Sequence, residues 1–260
     1  RSHHFIQVNS PSHRLWCQLI ALPLDGIYFR RHQRLYATDF HIPSHGTMTT
    51  KAHMPNIDIA TTAAASERFF RLYERHCVEP NEDTLFSLLE ASHSLNDRMK
   101  VGANQNFFEV SQFTALKCLR NYFHHHQELR HLVTLAPIGD YPVSTDLMFI
   151  CVVPRTSVEA AIDETMPRHR DVTRQACQDL FHWYGPVVNI NPCIFNFVVL
   201  AYERLRDADI PLSGTSVERF RASYEHEERN GIPHLVNGRI STSAGNVEEL
   251  ISAIVGVQKF

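Results

Sequence analysis

The sequence lacks any long hydrophobic run. No apolar stretch reaches the roughly 18 residues that suggest a membrane span. The longest, Cys193–Tyr202, is interrupted by Asn196 and reads as a buried core helix. No membrane partner is expected. Paired cysteines are missing too. The six Cys stand at 17, 77, 118, 151, 177 and 193, with the closest neighbours 16 apart (193 − 177). That spacing leaves no C-x-x-C pair and no zinc knuckle. The thiols read as reduced and mostly buried, as in a cytoplasmic protein. There is no P-loop, no Rossmann fingerprint and no G-x-S-x-G elbow, so nucleotide-dependent and α/β-hydrolase chemistry find no support. A basic surplus is absent: 25 Lys and Arg face 28 Asp and Glu, for a net charge of −3. This argues against a broad nucleic-acid surface but leaves room for a local basic cleft. Internal repeats and low-complexity tracts are also lacking.

What is present describes a globular chain. At 260 residues, 43% hydrophobic and 20% charged, it can bury a sizeable core in one large domain or two small ones. Residues 1–55 differ from the rest. The first 47 hold five Arg and six His but no Lys and no Glu, and they show no long periodic stretch. They are expected to form a poorly ordered extension, or to lie upstream of a true start at Met48 or Met54. Trp16–Leu24 is too short, and lacks a small-residue cleavage site, for a signal peptide.

Punctuation and periodicity place the elements. A helix is expected over 57–78, stopped by Pro80, and a second from an N-cap at Asn81 to about Gly102. Glu90, His93, Asn96 and Asp97 line a polar face of that second helix. The segment 106–134 contains no Gly or Pro and reads as one long helix. Phe113, Leu116, Leu119 and Phe123 recur on it at helical spacing and should face inward onto the first two helices. Leu147–Val153 has the length and β-branching of a buried strand, with no evident partner. Thr156–Glu159 and Thr215–Glu218 read as capping boxes opening helices to about Met166 and Arg229. Further helices are expected over 168–184, 191–207 and 246–255, with a loop over 231–238. The fold class is therefore mainly α: a helical bundle over 56–209, a small strand-containing insertion at about 135–166, and a helical segment over 210–260.

The functional candidates lie on the 106–134 segment. Arg120 sits at the edge of its apolar stripe, with His124 and His131 close to it. Asn121 and His125 are four apart and share the neighbouring face. The string Arg120-Asn121-Tyr122-Phe123-His124-His125 resembles the R-x(4–6)-H motif of the HEPN superfamily of helical ribonucleases, in which a polar residue, commonly Asn, often follows the Arg. The same spacing recurs at Arg34/His41, Arg71/His76, Arg219/His226, Arg221/His226 and Arg229/His234. Only Arg229 shares the following Asn, and it runs into Gly231-Ile232-Pro233, which breaks a helix. The resemblance covers this segment and the helix before it, well under half the chain.

The resemblance implies a metal-independent endoribonuclease of a defence or toxin type. The ribose 2′-hydroxyl would attack the adjacent phosphate, with no cofactor and no metal. Imidazole suits the proton transfer and guanidinium the charge that builds on phosphorus. The expected catalytic residues are Arg120, Asn121 and His125, with His124 and His126 against the substrate. RNA, a second copy of the chain and an antitoxin protein are the implied partners. A metal site built from His124–His126 is disfavoured, because adjacent histidines point about 100° apart. His169-Arg170-Asp171 matches the start of a kinase catalytic loop, but Ala176 replaces its Asn and no Gly-rich loop precedes it. A rival reading pairs Arg120 with Glu90 or Asp97 and makes the chain a catalytically inert helical module that binds a protein or nucleic-acid partner. A shared cleft for Arg120 and His125 favours the enzyme, and capture of Arg120 by either carboxylate favours the module.

Overall fold

The computed structural model describes residues 57–125, 132–134, 143–147, 149–242 and 245–255. The expected N-terminal extension, His126 and His131 lie outside them. Helix α1 spans Ile57–Val78 and α2 spans Glu82–Gly102. Between them Asn81 caps α2 reciprocally. The Thr84 N–H donates to Asn81 Oδ1 and the Asn81 N–H donates to Thr84 Oγ1, both at 3.0 Å. The two helices form an antiparallel hairpin whose inner faces carry Phe69, Phe70, Leu85, Leu88 and Leu95, all essentially inaccessible to solvent.

The long helix expected over 106–134 is shorter and begins later. Helix α3 runs Ser111–His125, and Leu132–Thr134 forms strand β1 instead. Residues 103–110 make a turn rather than a first helical turn. Asn96 holds it, accepting the Phe107 N–H on Oδ1 at 2.8 Å, and Arg204 donates to the Asn106 carbonyl. Asn96 therefore belongs to the core, not to the polar face of α2 where sequence spacing puts it. Phe113, Leu116, Leu119 and Phe123 are all buried. The main neighbours of α3 are α2, α4 (Arg155–Glu164), α5 (Pro167–Leu180) and α6 (Asn191–Asp207).

Strands occur in more places than the expected insertion. The remaining ones are β2 (Val143–Ser144), β3 (Ile150–Pro154), β4 (His182–Tyr184), β5 (Val187–Asn189) and β6 (Ser241–Thr242). The main sheet has the order β1-β3-β5-β4, antiparallel throughout, and β2 pairs with β6. The partners of β3 are thus β1 and β5. Strand alternation splits β3 between two cores. Cys151 and Val153 face the helical bundle, whereas Ile150 and Val152 join Val187 and Ile251 under helix α8 (Val247–Val255). The helix expected over 168–184 ends at Leu180, because residues 182–184 pair with β5 across a tight turn at Gly185 (φ +53). Neither expected capping box forms. Pro154 and Gly214 occupy the N-cap positions, without side-chain caps, of α4 and of α7 (Thr215–Arg229).

The result is a mainly α fold with a small sheet. One continuous core runs from Phe69 of α1 to Phe220 and Tyr224 of α7. The half-buried Asn196 of α6 pins the loop after α7, donating to the Val236 carbonyl and accepting its N–H, both at 2.9 Å. Among the described residues no helix is long and apolar enough to cross a membrane.

Candidate functional site

Helices α2 and α3 meet along a polar seam at the rim of the core. On α3, residues 117, 120 and 124 are spaced three and four apart, so Lys117, Arg120 and His124 line one flank. On α2, residues 90, 93 and 97 do the same. Glu90 gathers the α3 side. Arg120 Nη2 donates to Glu90 Oε2 at 2.9 Å. Arg120 Nε lies 2.9 Å from Oε1 in an ion contact, without the alignment of a hydrogen bond. His124 Nδ1 approaches the same Oε1 at 3.2 Å. Arg120 Nη1 donates to Asn121 Oδ1 at 3.2 Å. The Arg120 side chain is 17% exposed, against 45% for the His124 side chain. Arg120 is thus drawn inward, while the His124 ring stays half-open to solvent.

The other end of the seam repeats the pattern more loosely. His93 Nδ1 lies 3.4 Å from Asp97 Oδ2. Burial lowers the His93 pKa below its usual range, Asp97 opposes that shift, and Arg120 and Lys117 reinforce it. Burial also lowers the pKa of Lys117, whose ammonium sits 4.5 Å above the Phe108 ring.

The predicted site residues are brought together unevenly. Arg120, Asn121 and His124 form one hydrogen-bonded and ion-paired group with Glu90. His125 is exposed, and its ring meets that of His124 edge-on at 4.7 Å. Residues 120 and 125 are five apart, about 140° around a helix, so they occupy different faces. The contact between Glu90 and His124 escapes sequence reading. Its signal was the three- and four-residue spacing on both helices, legible once they are known to lie side by side. Among the described residues no group of three or more His, Cys, Asp or Glu is placed to hold a metal ion. Comparison of the chain with family models, curated proteins and solved structures found no match.

Proposed function

We propose that the chain is a catalytically inert helical module that binds a partner protein. The observation that carries this reading is the closure of Arg120. Its Nε and Nη2 face Glu90 and its Nη1 is given to Asn121. A guanidinium engaged in this way holds two helices together, and a phosphate would have to displace a carboxylate of the same chain to reach it. The net charge of −3 favours a protein over a nucleic acid as the partner. The test is incubation of the purified full chain with RNA in EDTA. No cleavage is expected, and cleavage that disappears in Arg120→Ala overturns the reading.

A second reading has one observation in its favour. Glu90 sets an imidazole beside a guanidinium, with His124 Nδ1 on the carboxylate. A base oriented by a carboxylate in this way is a recurrent catalytic arrangement. On this reading the chain is a metal-independent endoribonuclease of the HEPN type, working on RNA as a two-fold homodimer, with an antitoxin protein as a further partner. Activity would then survive chelation. His124→Ala or His125→Ala would lose about 10²–10⁴-fold in rate, whichever histidine transfers the proton. Arg120→Lys would also be damaging, because a point charge cannot replace the fork.

A further inference from the structure

A second charged region lies away from the seam between α2 and α3. A cleft of about 450 Å³ opens at the far end of the α6–α7 hairpin. That volume lies within the roughly 300–1,000 Å³ of small-molecule sites. Its apolar floor is Tyr202 and Ile210, both buried, with half-buried Leu212 beside them. Arg206 of α6 and Arg221 of α7 supply two guanidiniums. Glu225 and Glu228 follow Arg221 along α7, and Asp209 follows Arg206, so carboxylates line the same cleft.

These opposite charges do not close on each other. Arg206 lies over the Tyr202 and Tyr224 rings, 5.5 and 5.6 Å from their centroids. Arg221 donates to the Leu212 carbonyl at 2.9 Å. Neither joins an ion pair with Asp209, Glu225 or Glu228, although all five line one concavity. Elsewhere the same fold does close such pairs, at Arg120–Glu90, Arg174–Asp163 and Arg219–Glu74. Here exposed groups of both signs, Arg206, Asp209, Glu225 and Glu228 with the half-buried Arg221, stand around one concavity without pairing. A ligand that bears both charges can pair with both sets at once.

We infer that the α6–α7 cleft is a binding site for a small zwitterion, a free amino acid with an apolar side chain. Its carboxylate meets the Arg206 and Arg221 guanidiniums. Its ammonium faces the carboxylates of α7, and its side chain covers the Tyr202–Ile210 floor. The site is separate from Arg120 and does not depend on whether the chain cleaves RNA.

The test is calorimetric titration of the full chain with L-phenylalanine and L-leucine, up to about 20 mM. N-acetyl-L-phenylalanine lacks the cation and L-phenylalanine amide lacks the anion. Each is expected to bind roughly tenfold more weakly than the free amino acid or worse, equivalent to about 1.4 kcal/mol. Arg221→Gln and Glu228→Gln should weaken L-phenylalanine binding by a similar factor while melting like the parent chain. Phosphoethanolamine and glycine betaine, zwitterions without an apolar side chain, should bind less well. No heat from either amino acid, equal affinity for the blocked analogues, parental affinity in both folded variants, or preference for phosphoethanolamine would each overturn the proposal.

Discussion

Two charged regions of this molecule use the same residue types to opposite ends. In the α2–α3 seam, Glu90 reaches across to Arg120 and His124, and carboxylate and guanidinium neutralise one another at the rim of the core. In the α6–α7 cleft, two guanidiniums and three carboxylates share a concavity without pairing. The difference lies in what holds each guanidinium rather than in composition. Side by side, α2 and α3 bring side chains from facing flanks within reach. In the hairpin of α6 and α7, Arg206 turns onto the Tyr202 and Tyr224 rings and Arg221 onto the Leu212 carbonyl, so neither meets a carboxylate. The availability of an arginine to a ligand is therefore set by whether its own chain supplies a carboxylate at the right distance. A motif names the arginine and is silent about that carboxylate.

The comparison can be broken first at the helix that carries the seam. Leu116 is 2% exposed on the inner face of α3. Leu116→Ala should cost about 2–5 kcal/mol by transfer and cavity terms together, read as a shift in the denaturant midpoint. A loss below about half a kcal/mol would mean that the buried face of α3 is misassigned. The next effect is that of the seam itself. Arg120→Ala leaves the half-buried Glu90 without its guanidinium partner, and should cost about 1–3 kcal/mol. A double-mutant cycle with Glu90→Ala should return a coupling on the order of 1 kcal/mol. Additive effects would show that the pair contributes nothing as a pair. Arg221→Ala is the contrasting substitution. With only the Leu212 carbonyl on its guanidinium, it should change stability by no more than about 0.5 kcal/mol. A cost equal to that of Arg120→Ala would erase the distinction between the two regions.

What could be read in advance followed how local the causes are. The bounds of α1 and α2 were legible because Pro80 and the Asn81 cap lie within a few residues of the ends they set. The inward face of α3 was legible from its 3.6-residue period. Its true start was not, since the 103–110 turn depends on Asn96, eleven residues before Phe107, and on Arg204. Strand β1 was read as helix because its partner is β3, and pairing across that distance leaves no periodic trace in three residues. Strand β4 was missed for the same reason: Gly185, just past the expected helix end, is the corner of a hairpin. At the candidate site, the Arg120–Glu90 alternative was legible from the polar face of α2. The place of His124 was less so, because whether Glu90 reaches residue 124 or 125 depends on how α3 is rotated against α2.

The smallest expected effect concerns pH, and it also separates the two regions. His93 lies in the seam, and burial lowers its pKa below the ordinary 6.5, with Asp97 and Glu90 opposing and Arg120 and Lys117 reinforcing. The sign follows from proton counting. Between the lowered folded value and 6.5, the unfolded chain binds more proton at this residue than the folded chain does. Stability therefore rises with pH through that window and levels off above it. His182, whose pKa burial also lowers, acts in the same direction from β4. Replacing His93 by Gln should remove part of the slope of melting temperature against pH between about 5 and 7. Replacing Glu228 by Gln in the cleft should leave that slope intact, because the His93 pKa responds to the charges of the seam and not to those of α7. An unchanged slope in His93→Gln, with the protein folded, would place the acid sensitivity outside the seam.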